Sequence, residues 1–323
     1  MHPELFEIPL IHLTVKSYGL MMVIGFLAAV WLIRYLSRDI TPDPQLITNA
    51  ALYSLIGGVV GARLFYVVHY FDHFRNDLLS VFAIWEGGLE LLGGVLLAII
   101  IIAFFLRYHK LPIRRYLDIL AIGLMLALVF GRIGCFLNGC CFGKPANLPC
   151  AVRFPYNSFA YNSQVNPKPE RNRLVPQLQL PSDYFSYTDK DGMRYLKPHS
   201  DLTAEQKAEV SSGKYRCLPV HPTQLYESAT AAVMCLILYL FWRRTQNADS
   251  SGNTKRFLAK PGQTFGLMFV LYGITRFFIE FLRDDNPFEL DWLTISQLIA
   301  IAMLTFGLIL IVIFQRMKTQ QPK

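Results

Sequence analysis

Five ionisable side chains stand where the surrounding chain is apolar: Arg63 in "GGVVGARLFYVV", Arg132 in "VFGRIGCF", and Arg276, Glu280 and Arg283 in "YGITRFFIEFLR". A guanidinium presents a planar fork of donors that matches a phosphate, and it stays charged in apolar surroundings. Such groups are costly in lipid, so they face a bundle interior or a watery cavity. Each also has a purely structural reading; Arg276 and Glu280 have the i,i+4 spacing of an ion pair on one helix face. A second group follows Arg132 in "GRIGCFLNGCCFG": Cys135, Cys140 and Cys141. Their spacing contains no CxxC, so it gives little support to a zinc or thioredoxin-type site, and no metal is expected. If this segment is external a disulfide is allowed, with Cys150 and Cys217 as further partners, and no pairing is assigned. Cys235 lies in an apolar run and reads as a packing residue.

The elements that must hold these groups are membrane spans. Of 323 residues, 53% are hydrophobic and 17% charged, too few charges to coat a globule of this size. The formal charge of +8 is distributed between the apolar runs, which excludes a nucleic-acid surface. A span needs about 20 mostly apolar residues, and the candidates are 18–36, 51–71, 88–106, 116–137, 222–242, 263–283 and 292–315. Basic residues recur on alternate connections: Arg34 and Arg38; Arg107, Lys110, Arg114 and Arg115; Arg243, Arg244, Lys255, Arg256 and Lys260; Arg316, Lys318 and Lys323. The positive-inside rule then puts the N-terminus outside and the C-terminus in the cytoplasm. The opening stretch has no basic region or small-residue cleavage site and reads as an outer flank, not a cleaved signal.

The expected fold is an all-α polytopic membrane protein, with seven transmembrane helices and an enlarged external head between the fourth and fifth. Residues 1–137 hold the first four spans, 138–221 the head, 222–315 the last three spans and 316–323 a cytoplasmic tail. The head is rich in Pro, Asn, Tyr and charge; its one clear signal is a short helix at "LTAEQKAEVSSG", capped by Thr203 or Ser200. The segment "NADSSGNTKR" reads as a polar cytoplasmic linker.

Depth ties the charges together. At about 1.5 Å per residue, Arg63 lies roughly 18–20 Å along its span, Arg132 about 24 Å and Arg276 about 20 Å. All three fall in the outer half of a core about 30 Å thick. Tyr18, "WEGGLELLGG" at 85–94 and "HPTQLYE" at 221–227 enter their spans at that same face. One cavity open to the outer leaflet accounts for this, and it suits an anionic lipid head group. Gly57 and Gly61 read as helix-packing positions. For the paired glycines Gly87, Gly88, Gly93 and Gly94, a reaction-site backbone is as good a reading.

The pieces "SYGLMM", "GARLFYV", "WEGGL…GG", the Asp118-to-"GRIG" spacing, "NG…G", "HPTQLYE" and "YGITRFFIEFLR", in this order, resemble the prolipoprotein diacylglyceryl transferases. The likeness runs from about residue 17 to 283, with 150–217 outside it. It implies a bacterial inner-membrane enzyme that moves the diacylglyceryl group of phosphatidylglycerol to the lipobox cysteine of a prolipoprotein signal peptide, with no cofactor. Position by position, it implies that Arg132 binds the lipid phosphate and Arg276 is its essential partner. Tyr18, Asp118, Gly143 and Tyr272 match functionally important positions, and Gln224, Tyr226, Glu227, Glu280 and Arg283 complete the motifs. The family usually has histidine where Leu92 stands, and often asparagine at Cys135 and glutamate near Cys140. His221 or Glu227 can then serve as the base, with His69 a further option better read as an interfacial residue, and proton loss to water aided by the arginine field is the remaining alternative. Rival readings are a related lipid-transfer enzyme with another acceptor, an anion or anionic-lipid transporter, and an external thiol–disulfide protein.

Overall fold

The computed structural model describes residues 4–8, 13–41, 43–75, 78–83, 88–189, 192–250, 260–288 and 292–317. Its chain is mostly helical. An antiparallel hairpin, β1 (Glu4–Ile8) and β2 (Leu13–Lys16), runs straight into α1 (Ser17–Ser37). Then come α2 (Gln45–His69), the short α3 (Phe71–Phe74), α4 (Leu91–Tyr108) and α5 (Ile113–Asn138). After the head follow α8 (Thr223–Ser250), α9 (Gln263–Glu280) and α10 (Ile295–Arg316). Each of the seven expected apolar segments thus contains one long helix. Five of these, α1, α2, α5, α8 and α10, are long and apolar enough to cross a membrane by length and composition. Large apolar side chains such as Trp31, Val68, Phe104 and Phe306 remain exposed on the bundle, as a lipid-facing surface requires.

Sequence sets the helix ends. Pro112 precedes α5, where a missing N–H costs nothing. Thr294 and Gln297 form a reciprocal capping box at the start of α10. Gly139, at φ 80°, ends α5 in the left-handed conformation that a side chain resists, and its N–H returns to Cys135 O at 2.9 Å. That turn folds the chain back over the last turn of α5.

The helices pack as pairs: α1 on α5, α2 on α4, α8 on α5 and α9 on α10. The apolar core joins Ile119, Ile122 and Met125 of α5 to Met234, Leu238 and Trp242 of α8 and Met268 of α9. It fills the half of the bundle remote from the head. Two seams need glycine. A methyl group on Gly94 would meet Gly58 O at 2.7 Å, so this pair member serves the α2–α4 contact. A methyl group on Gly273 of α9 would meet Ala300 O of α10 at 2.7 Å. Small residues let backbones approach this closely.

Between α5 and α8 the chain forms its own apolar cluster around Tyr161, Tyr184, Val165, Leu202 and Val220. It includes α6 (Phe159–Val165), the antiparallel pair β3 (Phe185–Thr188) and β4 (Arg194–Leu196), and α7 (Ala204–Ser211). The expected helix is α7; of the two cap candidates Thr203 is used, in a capping box with Gln206. Two short hairpins accompany the helices, and the chain as a whole is mostly helical, consistent with the expected all-α membrane protein. The linker reading is only partly reached: residues 247–250 continue α8, and 251–259 lie outside the described residues. Residues 84–87, which take in the first three residues of "WEGG", and the tail from 318 also lie outside them.

Candidate functional site

The first turn of α8 is stitched to the segment that follows α5. Thr223 Oγ1 donates to Cys141 O at 2.7 Å and Gln224 Nε2 to Cys140 O at 2.6 Å. One turn further on, Glu227 reaches the centre of a buried cluster. Its Oε2 lies 2.7 Å from Arg132 Nε of α5. Its Oε1 accepts from Arg276 Nη1 of α9 at 3.1 Å and from Arg283 Nη1 at 3.0 Å. Arg276 also pairs with Glu280 at 2.9 Å and donates to Ser296 of α10 at 3.0 Å. Glu280, fully buried, accepts from Thr294 Oγ1 at 2.9 Å and Asn286 Nδ2 at 2.6 Å. Arg283 is held by both oxygens of Asp285, at 2.8 and 2.5 Å. Three guanidiniums therefore face three carboxylates in a region where an unbalanced charge is costly. Three guanidiniums converge on one carboxylate, Glu227, each through a single nitrogen. The remaining nitrogens of Arg132 are not engaged by Glu227, and charge rather than a bidentate fork makes this an anion-holding place.

The segment carrying Arg283 is fixed from two sides. On one side, Lys144 N donates to Leu282 O at 2.7 Å, Gly143 N donates to His221 O at 3.1 Å, and Gly143 and Arg283 form an antiparallel bridge. A Cβ at Gly143 would lie 2.6 Å from His221 Cβ and 2.8 Å from Leu282 O, so only glycine lets these three strands of chain cross. On the other side the head grips it. Arg171 Nη2 donates to Arg283 O at 2.8 Å, Lys168 Nζ donates to Asp284 O at 3.0 Å, and Arg173 pairs with Asp284 at 2.7 Å. Burial pushes the Lys168 ammonium below its ordinary pKa.

The structure thus brings Arg132, Arg276, Arg283, Glu227 and Glu280 together, with Gly143 and Gln224 as framework. Tyr18 and Tyr272 lie within electrostatic range of Arg132. Tyr18 also packs beside Gly134 of α5. His221 Nδ1 is 3.5 Å from Tyr226 Oη, which is itself 3.2 Å from Cys150 Sγ. Both oxygens of Glu227 are occupied by arginines, which fits a hub better than a base. Leu92, near the start of α4, is 59% exposed. His69 Nδ1 lies 3.3 Å from Glu90 Oε2 at the exposed end of α2.

Two residues stand apart from the cluster. Arg63 donates to the backbone carbonyls of Val81 (2.8 Å), Ser80 (2.6 Å) and Gly88 (3.1 Å), and so holds the connection between α2 and α4. Its depth matches that of the other arginines, but its partners differ. Asp118 precedes Arg132 on α5 by fourteen residues, roughly 21 Å along the axis. It is buried, and its carboxylate accepts from Gly262 N at 2.6 Å and Phe265 N at 3.0 Å. Asp118 therefore caps the N-terminus of α9 from a neighbouring helix. Asp118→Ala is expected to cost about 0.5–2 kcal/mol, the worth of a helix cap. A thermal unfolding series of the variant and the unmutated protein checks this.

Sequence reasoning missed Ser296, Asn286, Thr294 and Asp285. The Thr294-x-x-Gln297 capping signature was a usable signal for one of them. Asn286 and Asp285 lie in an irregular segment and carry none.

The model of the family described as "Prolipoprotein diacylglyceryl transferase" matches residues 3–313. Proteins named phosphatidylglycerol–prolipoprotein diacylglyceryl transferase are similar over nearly full length. One, from Buchnera aphidicola subsp. Acyrthosiphon pisum (strain 5A), is 30% identical over 91% of this chain and 90% of its own. One from Stenotrophomonas maltophilia (strain R551-3) is 29% identical over 96% and 91%, and one from Clostridium tetani (strain Massachusetts / E88) 26% over 95% and 96%.

Proposed function

Because this chain belongs to the prolipoprotein diacylglyceryl transferase family, we propose that it transfers the diacylglyceryl group of phosphatidylglycerol to a cysteine thiol of a prolipoprotein. The thiolate sulfur attacks the diacylglyceryl carbon bonded to the phosphate oxygen. A C–S thioether forms, the C–O bond breaks with its electron pair, and glycerol phosphate leaves. The observation that carries the reading is the convergence of Arg132, Arg276 and Arg283 on Glu227. A lipid phosphate entering this place takes over guanidinium donors that Glu227 now occupies. Arg132 and Arg276 are its holders, and their charge stabilises the phosphate oxygen as it departs. The same positive field favours the acceptor thiolate, since a free thiol with pKa near 8.5 is mostly protonated at neutral pH. Arg283, Glu280, Gln224 and Gly143 keep the holders aligned, and Tyr18 and Tyr272 border them. His221, linked to Tyr226, is the residue we assign to take the thiol proton.

In this reading all seven long helices span the bacterial inner membrane. The N-terminus and the 138–221 head are external, and the C-terminus is cytoplasmic. The polar cluster then lies just inside the outer interface, where both a bilayer lipid and a secreted peptide reach it. The head's grip on Arg283 gives 150–217 a positioning role.

The test is transfer in vesicles containing the purified protein, labelled phosphatidylglycerol and a lipobox peptide. Label is expected to appear on the peptide cysteine, and Arg276→Ala is expected to lower the rate about 10²–10³-fold, the usual cost of a lost transition-state donor. No transfer by the folded protein, or equal transfer by Arg276→Ala, overturns the reading. Transfer to an acceptor other than the peptide identifies the related enzyme suggested by Leu92.

A further inference from the structure

Cys135, Cys140 and Cys141 are scattered in sequence but not in space: their sulfurs all lie within 4.8 Å of one another. The cause is the left-handed Gly139. It ends α5 so tightly that Cys140 N donates to Cys135 O at 3.2 Å, which returns the next two thiols over the first. Cys141 is itself left-handed, at φ 61°. The loop is prepared before any ligand arrives. The carbonyls of Cys140 and Cys141 are pinned by Gln224 and Thr223, and Gly143 is clamped between His221 and Leu282. Such outer contacts hold metal ligands in place.

We propose that Cys135, Cys140 and Cys141 form a three-thiolate site for a single thiophilic cation of the Zn2+ or Cu+ type. Sulfur binds zinc at about 2.3 Å, so three ligating sulfurs stand about 4 Å apart. The three thiols need to close by less than about 1 Å to reach that spacing. Soft thiolates select these ions over Mg2+ or Ca2+. Three thiolates with one cation carry net negative charge, and Arg132 and Arg283 act on Cys141 from close by. Access is open: Cys140 and Cys141 border a cavity of about 450 Å³ whose wall also holds Met193, Lys168 and Asp285. A three-sulfur set leaves one position for water or an exogenous ligand, as in zinc sites that are not closed. The missing CxxC is no obstacle, because the helix-ending turn does the work that this spacing does elsewhere.

Ion binding at this site is read directly, without lipid substrate. Full-length protein in detergent, reduced with a phosphine under anoxic conditions, is dialysed against Zn2+ and, in a second arm, against Cu+ buffered by a competing chelator. One ion per chain is expected in one or both arms, and the arm that binds tighter identifies the ion. Co2+ in place of Zn2+ is expected to give a sulfur-to-cobalt charge-transfer band. Cys135→Ser, Cys140→Ser and Cys141→Ser are each expected to weaken binding at least about tenfold, a typical cost of disturbing a metal site. Cys235→Ser, whose thiol lies in α8 against Ile122 O, is expected to bind as before. Where a serine variant does not fold, alkylation mapping of the unmutated protein takes its place, with metal expected to protect these three thiols and leave Cys150 reactive. Equal binding by the serine variants, absence of bound ion from fully reduced protein, or metal that protects no thiol of the three overturns the proposal. A disulfide that persists under the reductant and excludes the ion does so as well.

Discussion

Arg132→Ala is expected to reduce diacylglyceryl transfer about 10²–10³-fold while the protein stays folded, the scale set by losing one preorganised donor to a developing oxyanion. The fold should survive because Glu227 keeps Arg276 and Arg283 at 3.1 and 3.0 Å when Arg132 is gone. The apolar core lies in the other half of the bundle, between α5, α8 and α9. The informative companion is Arg132→Lys. Lysine restores a point charge but not the planar fork, so it should recover only part of the loss. Initial rates in phosphatidylglycerol vesicles, normalised to folded protein by unfolding midpoint, separate the outcomes. Equal rates for Arg132→Ala and the unmutated chain would remove Arg132 from the phosphate site.

Glu227→Gln is expected to act chiefly on stability. It leaves three guanidiniums, with side chains 4–14% exposed, sharing the remaining carboxylates Glu280 and Asp285. Removing one partner of a buried ion pair costs about 3–5 kcal/mol, because the charge left behind is uncompensated. The diagnostic experiment is a double substitution. If the cost is uncompensated charge, Arg132→Gln in the Glu227→Gln background should restore stability, although Arg132→Gln alone lowers it. Two residues in one network are expected to be non-additive by about 0.5–3 kcal/mol. Strict additivity in denaturant unfolding would mean that the two side chains do not share the contact at 2.7 Å.

Arginine and glutamate inside apolar runs are legible because lipid tolerates them only in company. This is why Arg132, Arg276, Arg283 and Glu280 stand out in the sequence, and they do meet; Glu227, at their centre, stands out only through the resemblance. Depth alone could not say that Arg63 keeps different company, since a carbonyl nest and an anion site look alike along one helix. Asp118 is a different case: its place in a motif suggests chemistry, and the partners the structure gives it are the backbone N–H groups of Gly262 and Phe265. Capping chemistry of that kind, supplied from another helix, has no local spacing to read. The same holds for the thiols, which the left-handed Gly139 and Cys141 bring together across a break in helix period. In the head only α7 had a periodic, capped signature. The cluster around Tyr161 is assembled from residues far apart in an irregular chain, and the hairpin at the N-terminus is too short to stand out.

The glycine seam between α9 and α10 reaches beyond packing. Arg276 lies one helical turn past Gly273, and its contact with Ser296 is the next rung after that of Gly273 with Ala300. The separation of two packed helices therefore sets the aim of a charged group, and a methyl wedge at Gly273 alters that aim without touching any member of the charged cluster. Since about 1 Å of misplacement can cost about a hundredfold in rate, part of this protein's reactivity is calibrated by hydrocarbon contact.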